Sequence, residues 1–274
     1  YDKATKFLKE SQGTFTSGLK GTKEATWRPR AASQSRPIAI HLATDIHYGS
    51  VKTDYDLLNR NLGIIQNTDN FFMVSNGDDV DVFTAVGKWA TGTYENPLPP
   101  QLQTRAFLDK VKELDQQGKI GAMSYGNHND GIGVTGYDWL ESFASDLSFP
   151  IFTSGGLLHI DHGSQRYDLA MWHRHWGTSK LNPGNAVRRF IQYEYPTADI
   201  GFLGHTHQSN MEQYEVAGKD VIGVIGGTYK LKGDDFARKM GIGGRAGHTG
   251  HCVVLFPNEK KMVPFDLNTV YLIL

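Results

Sequence analysis

Ile38-Ala39-Ile40-His41-Leu42-Ala43-Thr44-Asp45-Ile46-His47 is the stretch that decides the fold of this chain. Its first six residues form a short apolar run, typical of a buried strand, and Asp45 and His47 follow where that strand would end. Four later apolar runs also end in polar clusters, which are Gly77-Asp78-Asp79-Val80-Asp81, Gly126-Asn127-His128, His173-Arg174-His175 and Gly204-His205-Thr206-His207. Five such clusters in series indicate polar side chains gathered on one rim of a β-sheet, outside the carboxyl ends of its strands.

Strands and helices alternate on both sides of these clusters, and the last part of the chain is rich in strands. The further predicted strands are 71–74, 120–123, 157–160, 167–172, 200–203, 221–225, 252–256 and 262–265. Helices are predicted by four apolar stripes: Leu58/Leu62/Ile65, Phe107/Val111/Leu114, Tyr137/Leu140/Ala144/Leu147 and Val187/Phe190/Ile191. Residues 87–101 are predicted to be a loop insertion. The pattern predicts an α/β fold, a four-layer αββα sandwich of two mixed β-sheets flanked by helices.

Composition narrows the class of protein. The chain has 274 residues, and its net charge of −1 gives no general attraction to nucleic acid or to an anionic membrane. It has no apolar run near the ~18 residues of a membrane span, so no membrane association is expected. The single cysteine, Cys252, excludes an internal disulfide, and we expect it to be a buried, unreactive thiol in a cytoplasmic protein.

Residues 1–36 differ from the rest, because they are rich in Lys, Arg, Ser, Thr and Gly and poor in large apolar side chains. We therefore predict an N-terminal arm or linker over 1–36 and one domain over 37–274. The alternative is that 1–36 tethers the domain to an upstream domain or partner.

The residue types in the five clusters suit divalent cations, which bind carboxylate, amide and imidazole groups. Two ions about 3.5–4 Å apart can hold both the attacking and the leaving oxygen of a phosphoryl transfer. Few carboxylates, several histidines and one asparagine would leave such a site positive, and the lack of cysteine ligands argues against structural zinc. We predict two divalent metal ions; manganese is preferred, and iron, zinc and nickel are alternatives.

Each cluster has an ordinary explanation when it stands alone. An Asp-x-His sequence can cap a helix, Gly-Asp-Asp and Gly-Asn-His sequences form turns, and His173 and His175 could lie on the surface. Those explanations do not account for five clusters that each follow a predicted strand.

The set of clusters resembles the calcineurin-like metallophosphoesterase superfamily. That superfamily carries, in order, D-x-H, G-D-x-x-D, G-N-H-D/E, a histidine after a strand, and G-H-x-H. This chain matches the order from Asp45 to His207, and the resemblance covers about residues 37–256.

The resemblance implies a role for each motif residue. Asp45, His47 and His207 would hold the first metal; Asn127, His173 and His205 would hold the second. Asp78 would bridge the two, and a hydroxide held between them would attack phosphorus in line. His128 would donate a hydrogen bond to the phosphate or a proton to the leaving oxygen, so His128 and Asp78 are the catalytic candidates. Asp81 and Asp130 are candidates for orienting the ligand imidazoles.

Two features depart from the superfamily pattern. Asn129 stands where an acidic residue usually follows Gly-Asn-His, and Asp130 is the candidate to take over its role. Either His173 or His175 could be the fourth-motif ligand; His173 is preferred because it directly follows the strand predicted at 167–172, and His175 would then face the substrate.

Substrate contacts are predicted at Asn127, His128, Arg174, His175 and Tyr229. The loop after Tyr229 is basic and would suit a polyanion; its cations are Lys230, Lys232, Arg238, Lys239 and Arg245.

The leading hypothesis is a binuclear metal-dependent phosphoester hydrolase. Within it we favour a phosphodiesterase that acts on a nucleotide or on nucleic acid, DNA or RNA. A phosphomonoesterase or protein phosphatase is the alternative within the same chemistry. A non-catalytic metal-binding interaction module is the alternative of another class, although every candidate ligand is present.

Overall fold

The computed structural model describes residues 23–82, 95–129, 140, 144–179, 181–231, 249–267 and 269. Its strands are β1 (Glu24–Trp27), β2 (Ile38–Ala43), β3 (Phe71–Asn76), β4 (Ile120–Ser124), β5 (Ile151–Phe152), β6 (Gly156–His162), β7 (Gln165–Trp172), β8 (Ile200–Leu203), β9 (Ser209–Val216), β10 (Lys219–Gly226), β11 (His251–Leu255) and β12 (Met262–Asp266). Its helices are α1 (Tyr55–Asn67), α2 (Pro100–Gln116) and α3 (Gly184–Glu194), with a 3₁₀ turn at Ala144–Asp146.

The strands form two mixed six-stranded sheets. One sheet, here called the β2 sheet, has the order β12-β11-β2-β3-β4-β5; the other, here called the β7 sheet, has the order β1-β6-β7-β8-β10-β9. Strands β2, β3 and β4 run parallel to one another, as do β7, β8 and β10. The carboxyl ends of these strands therefore lie on one edge of each sheet.

Three apolar layers hold the sheets and helices together. Side chains from both sheets, among them Leu42, Phe72, Leu169 and Phe202, form the layer between the sheets. A second layer lies between the β2 sheet and helices α1 and α2, and a third lies between the β7 sheet and α3. The order helix, sheet, sheet, helix confirms the predicted αββα sandwich.

Every strand predicted from the apolar runs is present, and so are the helices predicted around Leu58, Phe107 and Val187. Strands β1, β5 and β9 were missed; β9 alternates polar residues along its length and has no buried side chain. Of the predicted helical stripe Tyr137/Leu140/Ala144/Leu147, Tyr137 lies outside the described residues, Leu140 is helical and buried, and Ala144 begins the 3₁₀ turn. Residues 87–94 of the predicted loop also lie outside the described residues, and its end is wrong because α2 begins at Pro100. Cys252 is buried, as predicted.

The predicted arm over 1–36 needs a correction at its end, since residues 1–22 lie outside the described part and residues 24–27 are strand β1. This strand pairs in parallel with β6, and Trp27 packs edge-to-face on Phe72 with 5.3 Å between ring centroids. An apolar anchor at Trp27 in an otherwise polar stretch explains the difference.

Among the helices that the structure describes, none combines the length and apolar character needed to cross a bilayer.

Candidate metal centre

Three of the predicted ligands converge at the ends of β2 and β8. The Nε2 atoms of His47 and His207 lie 3.0 Å apart, and they lie 3.8 Å and 3.3 Å from Asp45 Oδ1. The ligand atoms of this group all lie within 4.8 Å of one another, so it could hold a metal ion.

Four more predicted ligands converge beside the first group. His173 Nε2 lies 3.0 Å from Asp78 Oδ2 and 3.2 Å from Asn127 Oδ1, and His205 Nδ1 lies 2.5 Å from the same Asn127 oxygen. Asp78, His173 and His205 form a second group whose geometry could hold a metal ion. The structure thus brings together all seven residues predicted as metal ligands.

The two groups adjoin. Asp45 Oδ1, from the first group, lies 4.0 Å from His173 Nε2 in the second. Asp78 belongs to the second group and also to a third, formed with His47 and His128. Asp78 therefore shares one group with His47, a member of the first group, and another with His173 and His205.

The donor atoms at this site fit a bound cation. Asp45 is fully buried, and its Oδ2 accepts hydrogen bonds from Thr44 Oγ1 and from the backbone N of His205, both at 2.8 Å. Its Oδ1 accepts no hydrogen bond from the described residues, although it is buried too. A buried carboxylate is costly unless a cation balances it. The rings of His47 and His173, whose pKa values are raised, can do so in the metal-free site, and a metal ion would take their place.

Hydrogen bonds behind the ligands fix which ring nitrogen faces the site. His47 Nδ1 lies 2.7 Å from Asp81 Oδ1, His173 Nδ1 lies 2.6 Å from the backbone O of Asn76, and His128 Nδ1 contacts the backbone O of Asp81. Each contact engages Nδ1 and leaves Nε2 directed at the site, which is the usual arrangement around ligand imidazoles. Asp81 thus orients His47, as predicted, whereas Asp130 lies outside the described residues.

The backbone at the candidate ligands is strained. Asp45, His47, Asp78, His205 and His207 have φ angles of +49°, +52°, +52°, +72° and +54°. Left-handed backbone is uncommon for residues other than glycine and concentrates at functional sites.

Glycines allow the motifs to approach one another. A Cβ atom at Gly126 would lie 2.1 Å from Asp78 Oδ1 and 2.3 Å from its backbone N, and a Cβ at Gly77 would lie 2.7 Å from the Gly126 backbone. The motif that contains Asp78 and the motif that contains Asn127 can therefore approach this closely only because Gly77 and Gly126 have no side chain.

We expect Gly126→Ala to displace Asp78. Metal binding should weaken at least about tenfold, and the free energy of unfolding should fall by about 1–3 kcal/mol. Gly63→Ala is the matched control, because nothing lies within 4 Å of a Cβ at this position in α1. That change should raise the free energy of unfolding by about 0.5–1 kcal/mol. Manganese titration and urea denaturation of both variants test this; wild-type metal affinity in Gly126→Ala would contradict it.

Two predicted substrate contacts are wrong. Tyr229 is 2% exposed and lies in the apolar layer beneath α1, where its hydroxyl lies 3.0 Å from both His41 Nε2 and Asn61 Nδ2. His175 is 7% exposed, its ring contacts those of Trp172 and Phe190, and it belongs to none of the three described groups that could hold a metal ion. Arg174, in contrast, is exposed, and its charge contributes to lowering the pKa of His205.

The basic loop after Tyr229 also differs from the prediction where the structure describes it. Lys230 is 4% exposed, and its Nζ pairs with Asp81 Oδ1 at 3.2 Å and with Glu95 Oε2 at 3.5 Å. Lys230 therefore stabilises the carboxylate that orients His47 and does not face a polyanion. The other four cations of that loop lie outside the described residues.

Sequence analysis missed Asn76, which is fully buried and contacts both sheets. The available signal was an asparagine at the last position of a buried apolar strand, directly before Gly77-Asp78. Asn129, in place of the usual acidic residue, folds back so that its Oδ1 accepts a hydrogen bond from Gly126 N at 3.0 Å.

The buried charges shift one another's pKa values. Burial disfavours charge on His47, but the carboxylates of Asp45 and Asp81 outweigh it and raise its pKa to about 9. Burial likewise opposes charge on His173, and Asp78 and Asp45 raise its pKa to about 9. Burial and the charge of His173 lower the pKa of His205 to about 4. Despite burial, the surrounding histidines hold the pKa values of Asp45 and Asp78 below the usual range.

We expect the metal-free site to be pH-sensitive. Because the pKa values of His47 and His173 are about 9, above the ordinary 6.5, these rings keep their protons at neutral pH. Their contribution stabilises the metal-free fold fully below about pH 6.5 and is lost as the pH rises through 9. Metal binding displaces the protons, so manganese affinity should rise across the same range. Calorimetric titration in buffers of different ionisation enthalpy should show proton release, and a pH-independent affinity would contradict this.

The solved structures compared with this chain below are distant likenesses. No family model matches the chain, and no curated protein matches it. Solved structures that resemble it include a mutant Vps29 from Entamoeba histolytica, with 12% identity over 84% of this chain and 99% of that one and a TM-score of 0.41. The nuclease MPE from Pseudomonas putida has 13% identity over 82% of this chain and 87% of that one, with a TM-score of 0.35.

A conserved uncharacterized protein from Streptococcus pneumoniae, described as a predicted phosphoesterase, has 12% identity over 84% of this chain and 98% of that one, with a TM-score of 0.34. Likeness at this level carries no functional argument. The fold and the site by themselves define the class: an α/β sandwich protein with His and Asp groups that could hold metal ions where the rims of two sheets meet.

Proposed function

We propose that this protein is a binuclear metal-dependent phosphoester hydrolase of the calcineurin-like metallophosphoesterase superfamily. The observation that carries the proposal is the pair of adjoining ligand groups with Asp78 between them. Asp45, His47 and His207 would bind one ion, and Asn127, His173 and His205 the other, with Asp78 shared. Manganese is the preferred metal, with iron, zinc and nickel as alternatives.

The bound ions would supply positive charge to the phosphate and lower the pKa of a water molecule so that it can attack near neutral pH. The chain's own residues would orient the substrate and move the proton. His128 Nε2 lies 3.9 Å from Asp78 Oδ2, and the side chain of His128 is 11% exposed, so it can reach a phosphate at the mouth of the site. We assign His128 to hydrogen bonding with the phosphate and to protonation of the leaving oxygen.

The exposed residues beside the candidate metal centre suit a phosphodiester substrate, in a nucleotide or in nucleic acid. Arg174 is exposed beside His205, and Trp176, two residues further on, is 57% exposed. The Arg189 guanidinium lies 5.4 Å from the Trp176 ring centroid. Exposed arginines beside an exposed aromatic ring suit a phosphate backbone and a stacked base. A phosphomonoester or phosphoprotein remains the alternative substrate.

The test is hydrolysis of bis-p-nitrophenyl phosphate by metal-stripped protein, with and without manganese, alongside the number of ions bound. Two ions with manganese-dependent turnover would support the proposal. Two ions without turnover on this diester or on a matched monoester would favour the interaction module or the need for an upstream partner. Failure to bind two ions would overturn the binuclear assignment.

We expect Arg174→Ala to weaken binding of single-stranded DNA while it leaves turnover of bis-p-nitrophenyl phosphate nearly unchanged. Loss of one phosphate contact should lower the slope of log affinity against log salt by about 0.7. The salt dependence of fluorescence anisotropy of a labelled single strand, measured on both proteins without metal so that the DNA is not cleaved, checks this. An unchanged slope would remove Arg174 from the substrate contacts.

A further inference from the structure

The side chain of Asn76 joins the two sheets directly beneath the metal centre. Its Nδ2 donates hydrogen bonds to the backbone O of Trp172, at 3.1 Å, and of Phe202, at 2.9 Å. Its Oδ1 accepts a hydrogen bond from Ser124 Oγ at 2.6 Å. Asn76 is the last residue of β3 in the β2 sheet, whereas Trp172 and Phe202 belong to β7 and β8 in the β7 sheet.

The two carbonyl groups that Asn76 binds lie next to candidate ligands. Trp172 immediately precedes His173, and Phe202 stands three residues before His205. The two segments are tied to each other, since the Gly204 backbone N donates to the His173 backbone O at 3.0 Å. Displacement of either carbonyl would therefore move both ligands that the β7 sheet contributes to the second group.

The backbone of Asn76 makes further contacts with the site. Its carbonyl oxygen lies 2.6 Å from His173 Nδ1 and accepts a hydrogen bond from Thr44 Oγ1 at 2.9 Å. Thr44 Oγ1 in turn lies 2.8 Å from Asp45 Oδ2. Asn76 thus contacts residues that position His173 and Asp45, and Asp78 follows it by two residues.

We propose that Asn76 is a positioning residue that sets the spacing between the ligands of the β2 sheet and those of the β7 sheet. This inference rests on the proposed binuclear function. The first ion would be held by Asp45 and His47 from the β2 sheet and His207 from the β7 sheet. The second would be held by Asn127 from the former and His173 and His205 from the latter, with Asp78 shared. Apolar packing between sheets tolerates small sliding, but a carboxamide with both N–H groups and its oxygen engaged does not, because each displaced group would be left buried and unpaired.

The experiment compares Asn76→Asp with Asn70→Asp. Asn70 is the matched control: its Nδ2 donates to the backbone O of Ser33 and Pro37, at 3.0 Å and 3.2 Å, and its Oδ1 accepts from Ser33 N at 3.2 Å. It has the same number of bonds, but it lies before β3, roughly 20 Å from the site at the far end of that strand. Both substitutions keep the side-chain shape and remove the NH₂ group.

Manganese binding is measured by calorimetry, and the magnetic coupling of the ion pair by electron paramagnetic resonance, each alongside urea denaturation. We expect Asn76→Asp to weaken binding of the second ion by about 10- to 100-fold and to diminish the coupled signal, as is typical when groups behind metal ligands are lost. Asn70→Asp should lower stability with metal affinity and coupling unchanged.

Wild-type affinity and coupling in a folded Asn76→Asp would overturn the inference, and so would an equal loss of metal affinity in both variants. If Asn76→Asp fails to fold, Ser124→Ala, which removes only the bond to Asn76 Oδ1, gives the same readouts; it should weaken the second ion and spare the first. Failure of the wild type itself to bind two ions would instead defeat the proposed function, so the two failures are distinguishable.

Discussion

Asp78→Asn should abolish hydrolysis, with a loss of about 10³-fold or more in turnover. Asp78 Oδ1 accepts the backbone N–H of His128 at 2.9 Å, and Oδ2 faces His173 Nε2 at 3.0 Å. The amide keeps the shape but removes the negative charge that two cations would share. Each 1.36 kcal/mol of lost transition-state stabilisation lowers the rate about tenfold, and a bound metal contributes several kcal/mol of that stabilisation. Steady-state turnover at saturating manganese, with ion stoichiometry, measures the effect.

Asp79→Asn is the control for this prediction, because it makes the same chemical change at the neighbouring residue. Asp79 is also buried, but it belongs to none of the three metal-binding groups, and its Oδ1 accepts from Ser75 Oγ. Burial raises its pKa to about 7, so a neutral amide resembles its protonated form. We expect activity within a few-fold of wild type. If both variants lose activity equally, Asp78 has no special place between the ions.

His128→Gln should show a loss that depends on the leaving group. Removing a positioned acid costs about 10²–10⁴-fold when the leaving oxygen needs a proton. The loss should be large for an alkyl leaving group and small for p-nitrophenolate, which leaves readily without one. Burial lowers the pKa of His128, so the negative charge of a bound phosphate would have to raise that pKa for the ring to hold a proton taken from solvent.

The measurement is the dependence of log kcat on the pKa of the leaving group, across a series of aryl and alkyl diesters. The slope should be steeper for His128→Gln than for wild type, with manganese stoichiometry unchanged. An equal loss on every diester would show that His128 only binds the phosphate. A loss of bound metal would show instead that His128 acts by positioning Asp78, since the backbone N–H of His128 donates to Asp78 Oδ1.

Much of the site could be predicted because its signals are local in sequence. The apolar run from Ile38 to Ala43 predicts β2 by itself, and Asp45 and His47 follow that strand whatever the rest of the chain does. The same holds for Asp78, Asn127 and His173 after β3, β4 and β7. Parallel strands end on one edge of a sheet, so residue type and position were sufficient to predict that these side chains gather.

Other predictions failed where sequence position does not indicate side-chain direction. Tyr229 follows a strand on the correct edge, yet its ring turns beneath α1 because His41 and Asn61 offer a buried hydroxyl two partners. Lys230 belongs to a basic stretch of sequence, yet its side chain is buried because it pairs with Asp81 and Glu95. Trp27 lies in a polar stretch, yet its ring packs against Phe72, and this contact anchors the surrounding residues as a strand.

The sequence by itself determined the residue types of the candidate metal centre, the strands that carry them and the two-sheet class of the fold, because periodicity and ligand chemistry are properties of short segments. Only the tertiary structure decided that His173 and not His175 joins Asp78, that Asp81 and Lys230 lie behind His47, and that Asn76 fastens one sheet to the other. Those relations join residues up to about a hundred and fifty positions apart, and they depend on how two sheets are set against each other, which no local pattern encodes.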